Sequence, residues 1–378
     1  MSNIFKKIES IMTSKNKAGF ISFESFLFIL SLICGSAVKI RGFFYDKGLL
    51  WPKKLPCVVI SIGNITVGGT GKTPMTIYVA NLVKRMGYKV VVISRGYKGL
   101  AEKTGGIVSD GKRMFMKADK SGDEPFMIAN RLKNTPVVVG KNRFKAGIMA
   151  FNSFNPDVIV LDDAYQHLKL KRDIDLVLLD NKYPFGNNHL LPRGTLREPI
   201  SSLMRSDAII LTRSDSPSGM EEESSLAKFK KYTCGKPIFK AIHTPKIYKI
   251  IKAKNIISDK ISTHSFDLMR GQKVFAFSGI ARNSDFRHVV EGLNCKLKGF
   301  TEFPDHHLYS NDDLSNLLQL LNKLKVDFVL TTEKDYVKIA DRVTWPVDLV
   351  VIGINISLGN YDNAFDNFLK NRLDELVK

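Results

Sequence analysis

A glycine-rich turn that ends in a lysine and a threonine gives the chain a candidate phosphate-binding loop. It follows the short apolar run 57–62, and its residues are Thr66, Val67, Gly68, Gly69, Thr70, Gly71, Lys72 and Thr73. A helical pattern from Ile77 to Met86 comes next. Glycines let backbone N–H groups approach phosphates, and the dipole of the following helix favours negative charge. We expect Lys72 to contact the β- and γ-phosphates of a nucleotide and the Thr73 hydroxyl to bind Mg²⁺.

The loop departs from the strict pattern GxxxxGK[ST] at its first position, where Thr66 replaces glycine. The remaining Gly-Gly-Thr-Gly-Lys-Thr run still predicts nucleotide binding rather than an ordinary glycine-rich turn. ATP-dependent partition and metal-delivery proteins carry a similar loop, with an extra lysine directly before the two glycines. That position is Val67 here. A membrane-associated switch or partition ATPase is therefore the alternative function, and Val67 counts against it.

Two consecutive acids, Asp162 and Asp163, end the second buried-strand pattern, 158–161. An apolar strand that ends in an acid presents a carboxylate to Mg²⁺ from beside the loop strand. Successive strand side chains point to opposite faces, so one acid can contact the metal and the other a neighbour. A turn or a helix cap is the alternative for such a pair. Together with the loop, the pair predicts magnesium ligation by both aspartates, directly or through water.

Alternating apolar strands and helical stretches must position these residues. Strands are predicted at 57–62, 89–93, 136–139, 158–161, 175–179, 207–212, 274–278, 326–331 and 349–354. The pattern predicts an α/β fold: a P-loop NTPase-like, mainly parallel sheet with a second, smaller α/β domain. We expect a P-loop domain at 51–235, linker strands at 236–272 and the smaller C-terminal domain at 273–378.

The net charge of +20 predicts an acidic partner. A nucleic-acid reader would usually show a recognition helix or aromatic residues among the basic ones, and the sequence has neither, so we expect no nucleic acid. The charge is concentrated at the front, because residues 1–56 carry nine Lys or Arg and three acids. The four cysteines are far apart and form no CxxC pair, which argues against a disulfide scaffold or a zinc knuckle.

Residues 1–50 are predicted to form a helical segment at a membrane interface. The uncharged run Phe26–Val38 covers about 20 Å as a helix, against ~30 Å for a hydrocarbon core. A longer span would place Glu24 in the bilayer, at a cost of about 2.5–3.5 kcal/mol. A buried core helix and a full membrane span are the alternatives. The phenylalanines expected to enter the headgroup region are Phe20, Phe23, Phe26, Phe28, Phe43 and Phe44.

Eight motifs, in order along residues 61–335, resemble the tetraacyldisaccharide 4'-kinases, lipid A pathway enzymes of Gram-negative bacteria. They are SIGNITVGGTGKTP, SRGYKG, GDEP, DDAYQH, LLPRGTLREP, FSGIAR, FPDHHLY and TTEKD. One departure is Ala164-Tyr165, where the family commonly has Gly-Phe. The tyrosine keeps the aromatic ring, so we expect the chemistry to be unaffected.

The resemblance implies that the P-loop domain is a kinase domain that uses ATP and Mg²⁺. The acceptor would be the 4'-hydroxyl of an acylated glucosamine disaccharide 1-phosphate, and the product a 1,4'-bisphosphorylated lipid A precursor, lipid IVA. The enzyme would be a peripheral or monotopic protein at the anionic, cytoplasmic face of the bacterial inner membrane. We expect a monomer.

The resemblance also implies roles for individual residues. Asp123 in GDEP matches the catalytic aspartate, and His306 in FPDHHLY matches the histidine that pairs with it. Read without the resemblance, Asp123 is a candidate helix cap, and the adjacent His307 leaves the choice of histidine open. If Asp123 and His306 meet, the site lies in a cleft between the two domains.

Further positions match the edge of the active site. Gln166, Arg197 and Glu198 are expected near the nucleotide, with Arg197 suited to clamp a phosphate and Glu198 to pair with a metal or a lysine. Arg95 and Arg143 are candidates for phosphate contacts. Two more basic residues lie in matching motifs without an assigned role, Arg282 and Lys334.

Overall fold

A computed structural model gives the structure of the protein. It describes residues 7–8, 10–12, 22–215, 223–253, 256–257, 266–340 and 342–377. Phe20, one of the phenylalanines expected at a membrane interface, lies outside the described residues, as does most of the segment before residue 22.

The first of two sheets has eight strands in the order β3-β4-β2-β5-β1-β6-β7-β8. These strands are β1 (Val58–Asn64), β2 (Val90–Ser94), β3 (Gly106–Ser109), β4 (Val137–Val139), β5 (Val158–Asp162), β6 (Ile174–Asp180), β7 (Ala208–Thr212) and β8 (Ile238–Lys240). Every pair is parallel except β3 with β4. Strand β1 is buried along its whole length, as expected for a central parallel strand covered on both faces.

The second sheet has six strands in the order β10-β9-β14-β13-β11-β12. They are β9 (Ile242–Lys252), β10 (Ile256–Ile257), β11 (Lys273–Ser278), β12 (Lys296–Glu302), β13 (Phe328–Thr332) and β14 (Asp348–Ser357). The four strands β14, β13, β11 and β12 are parallel, and β9 is antiparallel to both of its neighbours. Its core includes Phe277, whose ring is stacked on Trp345 with 5.8 Å between centroids.

Helices connect and cover the strands. Among the described residues, the α-helices of at least four residues are Phe23–Asp46, Lys72–Arg85, Ala118–Ser121, Asp123–Arg131, Arg143–Phe154, Glu223–Thr233, Asn283–Glu291, Asn311–Leu324, Glu333–Ile339 and Asp362–Leu376. Short 3₁₀ turns lie at Leu100–Glu102, Ile200–Arg205, Phe266–Met269 and Gly359–Tyr361.

Both sheets take strands from the segment 236–272, which the sequence predicts to be linker strands between the two domains. That segment supplies β8 to the first sheet and β9 to the second. The final helix, Asp362–Leu376, follows the second sheet in sequence but packs on the core of the first. Its residues Phe365, Leu369 and Leu373 are fully buried there. They recur every four residues, which places them on one helix face.

The helix Phe23–Asp46 is longer than the predicted apolar run, and it includes Glu24 and Arg41. By length and composition alone it could cross a membrane, and few of its residues are buried. The buried ones are Leu27, Ser31 and Gly35, four residues apart along one face. A Cβ on Gly35 would lie 2.6 Å from Leu190 Cδ1, so the helix lies closely against the loop that precedes β7.

Candidate active site

The phosphate-binding loop leads from β1 into the helix Lys72–Arg85, where a nucleotide-binding protein needs it. Gly71 precedes the helix with φ of +84°, a left-handed conformation that glycine adopts without steric cost. A Cβ on Gly71 would also collide with the imidazole of His243. The left-handed backbone therefore favours glycine at this position, and His243 leaves little space for a side chain.

Polar contacts hold the loop in place. Asn64 Nδ2 donates to Thr70 Oγ1 at 2.9 Å. The backbone N–H of Val67 donates to the carbonyl of Thr195 at 2.7 Å. Arg213, directly after β7, donates from Nη2 to the carbonyl of Gly69 at 2.7 Å. These contacts hold the loop to the end of β1, to Thr195 and to Arg213.

The two consecutive aspartates at the end of β5 have different environments. Strand β5 lies beside β1, with Asp162 opposite Ile62. The Asp162 carboxylate is buried, and it accepts hydrogen bonds from the hydroxyls of Thr76 at 3.0 Å and Ser94 at 3.1 Å. Burial and the nearby charges of Glu124 and Asp163 raise the pKa of Asp162 above its ordinary value.

Asp163 turns out of the strand toward the phosphate-binding loop, and its backbone is left-handed with φ of +49°. Its Oδ1 lies 3.9 Å from Lys72 Nζ, and Arg197 Nη1 donates to its two oxygens at 2.9 and 3.0 Å. Burial acts to raise the pKa of Asp163, but Lys72 and Arg197 outweigh it and hold the pKa below the ordinary value. Asp163 is therefore the aspartate that meets the loop lysine.

The remaining residues expected near the nucleotide occupy distinct positions. Gln166 Nε2 donates to the carbonyl of Asn64, at the start of the loop, at 2.7 Å. Glu198 is buried between two arginines: its Oε2 accepts from Arg205 at 2.6 Å, and its Oε1 lies 3.5 Å from Arg41 of the first helix. Gln166 thus supports the loop, and Glu198 joins the site to the first helix.

Asp123 and His306, 183 positions apart in sequence, lie against each other. His306 Nδ1 is 3.4 Å from Asp123 Oδ2. Asp123 begins the helix Asp123–Arg131, which packs against the helix Lys72–Arg85 that follows the loop. His306 follows β12 and has a left-handed backbone, with φ of +57°. Non-glycine residues in this conformation are uncommon and often functional, and histidine tolerates it better than most.

Lys334 determines how the histidine faces the aspartate. Its ammonium group is 3.2 Å from His306 Nε2 and 3.0 Å from Asp305 Oδ1. An ammonium group only donates, so Nε2 of a neutral imidazole accepts here, and we assign the proton to Nδ1, which faces Asp123. Burial acts to raise the pKa of Asp123, but His306, Lys338 and Lys334 outweigh it and hold the pKa below the ordinary value.

His307, the other histidine that the motif left open, points elsewhere. Its Nε2 lies 3.0 Å from Asp313 Oδ2, at the start of the helix Asn311–Leu324. Its ring is stacked on Phe303 with 4.7 Å between centroids. Of the two histidines, His306 is the one that faces Asp123.

The three further arginines differ in what they contact. Arg95 Nε donates to Glu102 at 2.8 Å. Arg143 is buried and donates to the carbonyls of Gly140 and Asp162, and burial lowers its pKa to about 10. Arg282 donates to Asp180 Oδ2 at 2.7 Å, joining the loop after β11 to the end of β6.

Three residues near the site escaped the sequence analysis. Tyr97 sets its ring edge-on to His306, with 5.3 Å between centroids. Arg213 holds the phosphate-binding loop, and Lys338 lies beside Asp123. Tyr97 lies in the SRGYKG motif, and Lys338 follows Lys334 of the TTEKD motif by one helical turn. The sequence therefore gives a weak indication of both residues. No local pattern marks Arg213.

A family model described as Tetraacyldisaccharide-1-P 4'-kinase, LpxK, matches residues 23–374. The chain belongs to the LpxK family. It is similar to the tetraacyldisaccharide 4'-kinase of Desulfatibacillum aliphaticivorans, with 38% identity over 374 residues and 99% of each chain covered. It is also similar to the enzyme of Aquifex aeolicus, with 35% identity over 316 residues, which are 84% of this chain and 90% of that one.

The crystal structure of LpxK from Aquifex aeolicus in complex with ATP has a similar fold. The two chains are 31% identical with a TM-score of 0.71, and the match covers 93% of this chain and 100% of the other. The predicted fold class and the family resemblance are therefore confirmed. Membership in the LpxK family makes the protein a phosphotransferase that binds ATP and acts on a lipid disaccharide phosphate.

Proposed function

We propose that the protein transfers the γ-phosphoryl group of ATP to the 4'-hydroxyl of tetraacyldisaccharide 1-phosphate, with Asp123 as the general base. The activity of a lipid A 4'-kinase follows from the family. The observation that carries the mechanism is the contact of Asp123 with His306, where Asp123 begins a helix that packs against the phosphate-binding helix. A base in this position can serve an acceptor hydroxyl placed beside the γ-phosphate.

A sugar hydroxyl is a weak nucleophile near neutral pH, so its proton must leave as it attacks. The 4'-oxygen forms a bond to the γ-phosphorus while its proton passes to the carboxylate of Asp123. The bond from the γ-phosphorus to the bridging oxygen breaks, and ADP leaves. His306 orients the carboxylate, and Lys72, with the loop N–H groups, stabilises the phosphate charge.

The residues at the loop suit a magnesium ion. Mg²⁺ prefers oxygen ligands and usually binds through one or two carboxylates, waters and substrate phosphates. The candidate oxygen donors are the Thr73 hydroxyl at the end of the loop and the carboxylates of Asp162 and Asp163, at the end of the strand beside β1. A bound Mg²⁺ would neutralise charge on the β- and γ-phosphates.

The first helix supports membrane attachment. Enzymes of this family are membrane-associated. Phe26, Ile29, Ile33, Ile40 and Phe43 of the helix are exposed. We propose that the helix lies at the anionic, cytoplasmic face of the inner membrane and that its polar contacts with Glu198 place the site at the lipid headgroups. We propose a monomer, since one chain supplies both Asp123 and His306.

The direct test is transfer of label from γ-labelled ATP to detergent-solubilised tetraacyldisaccharide 1-phosphate. We expect labelled lipid from the wild type and a loss of about 10²- to 10⁴-fold in kcat for Asp123→Ala, the usual range for a general base. Asp119→Ala is the matched control, because Asp119 is an exposed aspartate in the preceding short helix. It should retain wild-type kcat.

Other outcomes would change the conclusion. ATP hydrolysis without labelled lipid would favour a switch ATPase over the kinase. Labelled lipid at equal rates from wild type and Asp123→Ala would keep the kinase and remove Asp123 as its base.

A further inference from the structure

The helix Glu333–Ile339 carries two lysines, Lys334 and Lys338, one turn apart on the same face. Like charges four residues apart destabilise a helix, so such a pair needs opposite charges nearby. The element that faces it is the helix beginning with Asp123 and Glu124, which packs against this one. The two lysines divide the acidic residues of that first turn between them.

Lys334 pairs with the outer carboxylates. Its Nζ lies 3.6 Å from Glu124 Oε1 and 3.0 Å from Asp305 Oδ1. Lys338 lies deeper, with 5% of its side chain exposed, and its Nζ is 3.5 Å from Asp123 Oδ2. His306 approaches that same oxygen. The candidate base is therefore held at one oxygen by an imidazole and an ammonium group.

Lys338 also lies 3.4 Å from Asp335 Oδ1, so a purely structural role must be considered. Asp335 is fully buried, but its other oxygen already accepts from the backbone N–H of Gly279 at 2.9 Å and from the hydroxyl of Thr332 at 2.6 Å. An ammonium group has three protons, so Lys338 can serve both carboxylates. Pairing with Asp335 alone does not explain why the Lys338 ammonium lies equally close to Asp123.

We propose that Lys338 is a positioning residue for phosphoryl transfer, which holds the Asp123 carboxylate ionised and oriented beside His306. This inference rests on the proposed role of Asp123 as the base. Lys338 does not itself reach the reacting atoms. Its effect is transmitted through Asp123, which distinguishes it from Lys72.

The groups around Asp123 set the sign of the expected effect. The positive or hydrogen-bonding groups facing it are His306, Lys338 and Lys334. The acidic groups nearby are Glu124 on its own helix, Asp305, Asp335 and the phenol of Tyr309. Without Lys338, burial and these acids remain while one attraction is lost. The pKa of Asp123 would then rise, so its ionised fraction would develop at higher pH.

The test is the pH dependence of kcat/KM for the full-length protein with ATP and the detergent-solubilised lipid. We expect Lys338→Met to move the acid limb upward by roughly one pH unit. Lys338→Arg keeps the charge and should return the limb toward that of the wild type. Lys252→Met is the matched control, because Lys252 is an exposed lysine that pairs with Asp348 where β9 ends and β14 begins. A folded Lys338→Met with an unmoved limb would overturn the proposal.

Lys338→Met leaves the buried Asp335 carboxylate without its lysine partner, so a second pair of variants keeps the test valid where Lys338→Met does not fold. Asp335→Asn and the double variant Asp335→Asn/Lys338→Met remove that buried charge. The double variant should still show the higher acid limb, and equal limbs in the two variants would refute the inference. Asp123→Asn separates the role of Asp123 from that of Lys338. Full activity of Asp123→Asn would refute Asp123 as the base. An inactive Asp123→Asn, together with an unmoved acid limb in Lys338→Met, would refute only the role of Lys338.

Discussion

The nucleotide side and the acceptor side of the active site are built in different ways. The proposed nucleotide side is centred on a continuous stretch of chain, formed by β1, the glycine-rich loop and the start of one helix. The acceptor side joins Asp123, His306 and Lys338, which come from three separate segments. A local motif can specify the first, but only the packing of the two sheets assembles the second.

A buried contact shows how the acceptor side depends on tertiary packing. Arg131 ends the helix that Asp123 begins, and its Nε donates to both oxygens of Glu333 at 2.9 and 3.0 Å. Its Nη1 donates to Asn355 Oδ1 at 2.6 Å. Glu333 begins the helix of Lys334 and Lys338. The Arg131 guanidinium thus fixes the two helices that bring these groups to Asp123, far from the chemistry itself.

Of the loop lysine, the adjacent histidines and the first helix, the loop lysine is expected to give the largest effect. Lys72→Ala removes the ammonium beside Asp163 and should lower kcat by about 10³-fold, because that charge stabilises the phosphoryl group during transfer. Steady-state assay with γ-labelled ATP measures it. Lys84→Ala is the matched control from the exposed end of the same helix, where Lys84 donates to the carbonyl of Lys133. Equal losses in the two variants would mean that the helix, and not the loop lysine, is responsible.

What the sequence could predict follows the same division. The strands and the loop were predictable, because buried parallel strands appear as apolar runs and the loop needs its glycines at fixed positions. The aspartate pair was also predictable, but the difference between the environments of its two members was not. The hydroxyls of Thr76 and Ser94, which come from other elements, donate hydrogen bonds to Asp162. Lys338 was missed because its proposed role depends on Asp123, 215 positions earlier in the chain.

An intermediate effect is expected on the acceptor side, where the choice between adjacent histidines sharpens the comparison. His306→Ala should lower kcat by about 10²-fold, since Asp123 loses the group that orients it. His307→Ala should change kcat by less than about threefold, because His307 contacts Asp313 and Phe303 instead, and the loss of these contacts falls on stability. The same phosphotransfer assay measures kcat of both variants, and thermal unfolding measures their stability. A larger loss of kcat in His307→Ala would reverse the assignment.

The smallest effect is expected at the first helix, which we propose lies at the membrane surface. Ile29 and Ile33 of the first helix are 57% and 61% exposed, on one face. Ile29→Ser/Ile33→Ser should weaken binding to anionic phospholipid vesicles by about tenfold, since burying such side chains stabilises by about 1.5–3 kcal/mol each and an interface buries them in part.

Cosedimentation with vesicles, with the phosphotransfer assay in detergent as the second readout, tests this. Leu320→Ser is the matched control, because Leu320 is an exposed apolar residue on a helix of the second sheet. Weaker vesicle binding with unchanged kcat in detergent would show that the helix attaches the protein to the membrane and takes no part in phosphoryl transfer. Unchanged vesicle binding would show that the exposed face of this helix does not hold the protein at the membrane, and the acceptor side would then have to recruit its lipid through other surfaces.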